Sequence, residues 1–303
     1  VSVTKAAERL AGAADLEVVH GERLAQRTSY RIGGPAALTV TVHTYAALVR
    51  ALRILNEERV EWVVLGRGSN VLVADAGYDG CIVRLGREFS RLSFGDDGQL
   101  TVGAGAQLSR VVARCQSEGL SGLEMCVGIP GSVGGAISMN AGTRTEWISS
   151  RITSVVTYRP GSGLVRYGVS EIDWGYRRTS LPAGEIILEA DLLLEKADPA
   201  AIAADMESRM AKRRGRQPLN KPSCGSVFRN PPDRSVGEII ESCGLKGFTC
   251  GGAQVSDVHA NFVVNNGGAT ANDVLVVLNK VHDEVLRRYG IELIPEVKFL
   301  GFQ

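Results

Sequence analysis

The sequence predicts an α+β protein of about two domains, and three observations carry that expectation. Short β-branched runs outnumber helical stretches up to residue 196, the 36 glycines fall in clusters between those runs, and at Asp198-Pro199 the apolar spacing turns helical. Residues 37–42, 62–65, 81–83, 100–102 and 186–194 are short, partly alternating runs expected as strands. Residues 45–58 and 107–118 are expected as helices, the first with Leu48, Leu52 and Leu55 on one stripe. Asp198 suits an N-cap and Pro199 the first helical turn, with Ile202, Met206 and Met210 repeating toward Gly215. Thr270, with Asp273 three residues on, caps a second long helix whose Val274, Val277, Leu278, Val281 and Val285 line one face. The final run, 293–300, is expected as a strand broken at Pro295.

Composition narrows the function. Lys+Arg number 34 and Asp+Glu 33, a formal charge of +1. A field that weak does not grip a nucleic acid or an anionic membrane, so any anionic ligand is held locally. At 44% hydrophobic and 22% charged, the chain has the make-up of an ordinary globular protein with a sizeable core. The six cysteines include no CxxC pair and the four histidines no HExxH spacing. No metal site or disulfide framework is therefore expected, and reduced thiols point to a cytoplasmic location. Residues 1–8 lack the apolar core of a signal peptide, which points the same way. The uncharged stretch 125–143 has the length of a membrane span, yet it holds five glycines, Pro130 and Asn140 and reads as a ligand loop. Nothing marks an obligate protein partner.

Several constellations bear chemistry. Residues 65–73 form a glycine-rich turn between two apolar strands; converging N–H groups with Ser69 and Asn70 make either an anion nest or a tight β-turn. Residues 128–142 match neither GxGxxG nor a P-loop, and their small side chains let an extended ligand lie on the backbone. Tyr176 is followed by Arg177 and Arg178, either of which suits a carboxylate clamp or a surface ion pair. The run 209–221 holds six basic residues and no acid, placed either for a helix dipole or for a phosphorylated ligand. Ser226 follows Gly225 on a turn but sits in no GxSxG elbow. Glu296 lies in an apolar stretch, a candidate acid or orienting group or else an exposed edge residue. Residues 259–265 alternate polar and apolar, with a polar face that meets a ligand or water.

In their order along the chain, these pieces resemble the UDP-N-acetylenolpyruvoylglucosamine reductase family. The matching residues are Thr28-Ser29-Tyr30-Arg31-Ile32-Gly33-Gly34, the run 65–73, Gly122-Leu123-Glu124 leading into 128–142, Tyr176-Arg177, Gly225-Ser226-Val227-Phe228-Arg229-Asn230, the run 259–265, and Pro295-Glu296-Val297. The resemblance implies a two-subdomain FAD-binding module of the vanillyl-alcohol oxidase type over 1–196, with subdomains about 1–86 and 87–196. An α+β substrate-binding domain over 197–303 follows, its last strand returning toward the first subdomain. It further implies tightly bound, non-covalent FAD between the subdomains. Leu65, Gly66, Arg67, Gly68, Ser69, Asn70 and Val71 would hold it from the first glycine run and Arg31 from the N-terminal motif. Gly128, Ile129, Pro130, Gly131, Gly134, Gly135, Ala136, Asn140 and Gly142 would hold it from the second.

By the same resemblance NADPH reduces the flavin and leaves, and the enolpyruvyl ether of UDP-N-acetylglucosamine enters to become UDP-N-acetylmuramate, a peptidoglycan precursor. A C=C bond conjugated to a carboxylate accepts hydride from flavin N5 at its terminal carbon, which leaves an enolate-like carbon to be protonated. Arg177 and a protonated Glu296 would stabilise the carboxylate, and Ser226 would deliver the proton. Arg214, Asn230, His259 and Asn261 would contact the UDP-sugar. Only residues 179–184 separate the Tyr-Arg motif from the next strand, so the chain resembles the branch without a tyrosine-bearing lid loop. The rival functions are another FAD-dependent sugar or alcohol oxidoreductase of this fold, or a non-catalytic nucleotide-sugar binder, which the joint presence of Arg177, Ser226 and Glu296 disfavours.

Overall fold

The computed structural model describes residues 2–302. Two compact units emerge, one of residues up to 19, 38–67 and 81–212, the other of 20–37, 68–80 and those from 213 on. The grouping is not consecutive along the chain, because backbone pairings and side-chain ties join early segments to late ones within the second unit.

In the first unit, the strands Gly163–Gly168, Ile152–Arg159, Ile186–Leu193, Gln99–Gly103 and Leu92–Phe94 form a five-stranded sheet in that order. Every neighbouring pair in it is antiparallel. Along Ile186–Leu193 burial alternates, with Ile186, Leu188, Ala190 and Leu192 inside, as a strand packed on one face requires. The helix Leu108–Ser117 presses Leu108, Val111, Val112 and Cys115 into the same core. A second core in this unit gathers Leu38, Val40 and Val42 with Leu48, Leu52 and Leu55 from the helix Tyr45–Glu57. Thr44 caps that helix, its hydroxyl accepting the Ala47 N–H at 3.1 Å. Trp62–Val64 pairs in parallel with residues 81–83 of the strand Tyr78–Leu85. The helix Pro199–Arg214 starts where expected, with Asp198 Oδ1 accepting the Ala200 N–H at 3.0 Å. Of its apolar stripe, only Ile202 is buried.

The second unit is built on the helix Ala271–Tyr289, whose Val274, Val277, Leu278, Val281 and Val285 are all buried. Thr270 and Asp273 form the expected capping box. A further carboxylate joins them: Asp75 accepts the N–H groups of Ala271 at 2.7 Å and Asn272 at 3.1 Å. A three-stranded antiparallel sheet of Thr249–Cys250, Ala253–Val255 and Val263–Asn265 packs on this core.

Two expectations are corrected. Of 293–300 only Lys298–Leu300 is a strand, and it pairs in parallel with Val71–Val73. Pro295 has no N–H to give, and the Glu296 N–H is spent on the Val227 carbonyl at 2.8 Å, so no regular ladder runs through them. In the run 259–265, Asn261 and Asn265 are buried along with the apolar residues between them, and His259 alone of its polar residues is partly exposed. All six cysteines are free, and burial pushes the thiols of Cys81, Cys115 and Cys224 up to about 12. Among the described residues, no helix is long and apolar enough to cross a membrane.

Replacing Thr270 by Ala removes one member of the box. The unfolding free energy, measured by urea titration, is expected to fall by about 1 kcal/mol, less than for an isolated helix because Asp75 still serves the first turn.

Candidate functional site

The first unit carries the run 128–142 and Arg177. The run is not the irregular loop expected throughout, for it contains a short helix, Val133–Ser138, with Ser132 as its N-cap. The N–H groups that open this helix are all occupied. Val133 donates to the Ala106 carbonyl at 2.9 Å, Gly134 to Ala104 at 2.8 Å and Ala136 to Ser132 at 2.9 Å, while Gly135 donates to the Ser132 hydroxyl at 3.3 Å. At residues 133–136 the backbone N–H groups are thus engaged within the protein. Gly134 is small for another reason: a Cβ there would press on Ala104 at 3.0 Å.

Beyond the helix, Asn140 adopts a left-handed conformation at φ 40° and is buried. Its Nδ2 donates to the Gly175 carbonyl at 3.1 Å and its Oδ1 accepts the Ser149 N–H at 3.4 Å. Gly175 belongs to a tight hairpin, Trp174–Gly175 against Arg178–Thr179, with Tyr176 and Arg177 at its tip. Arg177 is itself left-handed at φ 56°, donates from Nη2 to the Gly142 carbonyl at 3.3 Å, and lies 5.0 Å over the Tyr176 ring. Asn140 and Gly142, expected as cofactor contacts, thus tie the loop to the hairpin that carries Arg177. Arg178 points elsewhere and is exposed.

The two glycine runs meet. A Cβ added to Gly66 would collide with the Ser132 Oγ that caps the short helix. Gly66, Arg67, Pro130 and Gly135 are exposed, and Gly128, Ile129 and Gly131 partly so, while Leu65 and Ala136 are buried. Gly66 and Gly135 thus expose backbone that carries no side chain, which fits a flat ligand laid along it.

The second unit carries the rest. Gly68 is left-handed at φ 60°, and a Cβ there would strike the Arg27 carbonyl and come within 2.9 Å of the Thr28 Cα. Its carbonyl accepts the Ser29 N–H at 2.9 Å, which joins the glycine turn to the Thr28–Gly34 motif. Arg31, left-handed at φ 58°, lines an open depression of about 410 Å³ with Arg23, Ala25, Gln26 and Thr28. Asn70 then reaches the C-terminal segment: its Nδ2 donates to the Glu296 carbonyl at 3.1 Å and its own carbonyl accepts the Lys298 N–H at 3.0 Å. Ser69 is partly buried and Val71 buried, the latter at the start of the parallel pairing.

Ser226 follows Gly225 at φ 83° and pairs with Phe262 in an isolated antiparallel bridge. The next residue, Val227, accepts the Glu296 N–H, so two of the candidate catalytic residues stand on adjoining backbone. Asn230 Oδ1 accepts the Val236 N–H at 3.0 Å and so serves the start of the helix Val236–Ser242. Arg214 is exposed at its helix end, while Arg209 of the same basic run is occupied by Glu146 at 2.7 Å and Asp205 at 2.8 Å.

Asn261, expected on the substrate, is 1% exposed and bonds the backbone of Phe228 instead. His259 accepts the Asn261 N–H on Nδ1 at 3.1 Å, its ring 5.0 Å from that of Phe262. Burial, then the Lys246 charge, hold the imidazole below its ordinary value of 6.5. Two structural contributors were not singled out from sequence. Asn265 donates to the Tyr30 carbonyl at 2.9 Å, and Tyr30 packs fully buried in the core that holds Cys224.

Comparison with known proteins fits this geometry. Residues 217–300 match the model of the UDP-N-acetylenolpyruvoylglucosamine reductase C-terminal domain, and residues 36–160 that of an FAD binding domain. The chain is 39% identical over 290 residues to a UDP-N-acetylenolpyruvoylglucosamine reductase of Syntrophotalea carbinolica, covering 94% of this chain and 96% of the relative. It is 40% identical over 301 residues to that of Myxococcus xanthus, covering 98% and 97%. The crystal structure of the Thermus caldophilus enzyme superposes with a TM-score of 0.81 at 36% identity, covering 94% of this chain and 98% of the other.

Gly66→Ala is expected to lower the flavin content of the purified protein, read by visible absorbance, because Ser132 Oγ must leave its capping position. Adding Ser132→Gly, which costs a cap only a few tenths of a kcal/mol, should restore part of it. The fold makes His259 take up its proton at lower pH than in the unfolded chain, so as pH falls below 6.5 the unfolded chain binds a proton before the folded chain does. Stability is therefore expected to be complete above that pH and to decline as pH falls through it. In His259→Gln, urea titrations at either side of pH 6.5 should show that part of the decline removed.

Proposed function

The chain belongs to the UDP-N-acetylenolpyruvoylglucosamine reductase family, and on that premise we propose that this FAD-dependent oxidoreductase takes its electrons from NADPH and delivers them to the enolpyruvyl ether of UDP-N-acetylglucosamine. Gly66, Arg67, Gly128, Ile129, Pro130 and Gly131 would hold FAD along the backbone of the first unit. FAD, when bound and reduced, supplies the hydride that the C=C bond accepts.

The chain's own residues do the remaining work. Arg177 presents a permanent, planar positive charge to the substrate carboxylate, and its tie to the Gly142 carbonyl spares it the entropy of being ordered during the reaction. Glu296, protonated, would steady the negative charge that develops on the substrate. The Ser226 hydroxyl gives its proton to the carbon next to the carboxylate. Asn230, His259 and Arg214 serve the nucleotide-sugar. The observation that most supports this reading is the 2.8 Å hydrogen bond from the Glu296 N–H to the Val227 carbonyl, which brings the backbone of Glu296 next to the residue that follows Ser226.

The short span between Arg178–Thr179 and Ile186–Leu193 supports membership of the branch without a tyrosine lid loop. Six free cysteines, of which only Cys250 is not buried, suit the reducing cytoplasm in which such a nucleotide precursor would be made.

Anaerobic half-reactions test the assignment. In Ser226→Ala, reduction of bound flavin by NADPH should proceed as in the parent, whereas reoxidation of reduced flavin by the UDP-sugar should slow by about 100-fold or more. Normal rates in both steps would remove Ser226 from proton delivery.

A further inference from the structure

The segment Ser226–Phe228 is held between two others without being a regular strand. On one side Ser226 bridges Phe262 and the Val227 N–H donates to the Asn261 carbonyl at 2.9 Å. On the other, Val227 accepts from Glu296, and Arg229 donates to the Ile294 carbonyl at 2.9 Å. The N–H and C=O of Val227 thus go to different neighbours, which breaks the alternation a ladder needs. At Phe228 a side chain closes the gap. Asn261 Oδ1 accepts the Phe228 N–H at 3.0 Å, and Asn261 Nδ2 donates to the Phe228 carbonyl at 2.8 Å. This is the two-bond ring that residues of paired antiparallel strands make with one another, built here with a carboxamide in place of a peptide.

We infer that Asn261 is a positioning residue for Ser226: its buried carboxamide fixes the register and direction of the backbone from which the proton-donating hydroxyl projects. The inference rests on Ser226 as the proton donor. Asn261 is 1% exposed and its amide is already engaged at both ends, so it meets no substrate and acts through the segment it clamps. His259 supports the clamp from behind, since its Nδ1 takes the Asn261 N–H. No backbone group substitutes for the clamp, because both neighbouring segments have already given their partners to Val227 and Arg229. Loss of the clamp leaves the Phe228 N–H and C=O buried and unpaired unless the segment shifts, and a shift moves Ser226.

The test uses the FAD-loaded enzyme with Asn261→Asp, which keeps the acceptor and loses the donor, and Asn261→Leu, which loses both at similar volume. Flavin reduction by NADPH is expected to be unchanged. The substrate step should slow by about 100-fold in the Leu variant and less in the Asp variant, with KM for the UDP-sugar unchanged and a larger solvent isotope effect. In a Ser226→Ala background, Asn261→Asp should add no further loss, because the residue it positions is already gone. The same factor in both backgrounds would overturn the inference, as would a raised KM with kcat intact, the signature of direct substrate contact. If Ser226→Ala alone leaves the substrate step at its normal rate, the proton-donor assignment itself fails, a result distinct from additive losses. Should Asn261→Leu fail to fold, Asn261→Asp carries the comparison by itself.

Discussion

The second unit depends on a short parallel pairing between segments far apart in the chain. Val71–Val73 lies beside Lys298–Leu300, and Asn70 extends the contact by one residue through its bonds to Glu296 and Lys298. Closing so long a loop costs little more entropy than closing one of half the length, so a few well-buried contacts suffice to hold it. Leu72 is fully buried, and Asn265 and Asp75 add ties of the same long range to Tyr30 and to the last helix. The end of the glycine turn and the acidic residue thereby become parts of one rigid arrangement.

The first unit follows a different constraint, the close approach of other segments to its glycines. Gly66 faces Ser132, Gly134 faces Ala104, and Gly142 sits against the backbone of Glu146 and Trp147, each too close for a Cβ. The N–H groups at the start of the short helix are engaged within the protein as well. Gly66 is left exposed and Gly128 and Gly131 partly so, small residues on which a planar ligand can lie. Arg177 draws on the same packing, since the carbonyl that anchors it belongs to one of these crowded glycines.

A common device recurs in both units. Asn140, Asn261 and Asn265 are buried, and each directs its amide to the backbone of another segment, at Gly175, Phe228 and Tyr30. A buried carboxamide can both give and take a hydrogen bond, so it links chains whose peptide groups do not align for sheet pairing. Irregular turns lack ladder pairing, and these side chains supply the order that secondary structure withholds.

Local periodicity alone determined the stripe of Leu48, Leu52 and Leu55, the capping box at Thr270 and Asp273, the alternating strand 186–193 and the glycine turns that mark the site, because each depends only on neighbours within a few residues. The order of short motifs identified the family and so the cofactor, and Ser226 and Glu296 were legible as candidates on the same grounds. Tertiary structure decided what the polar residues bond. From sequence Asn261 is indistinguishable from a ligand contact, and the run 293–300 reads as a strand until Val227 takes the N–H of Glu296. A hydrogen bond needs a specific partner at about 3 Å, and the partner is set by how distant segments pack rather than by the residues next in line.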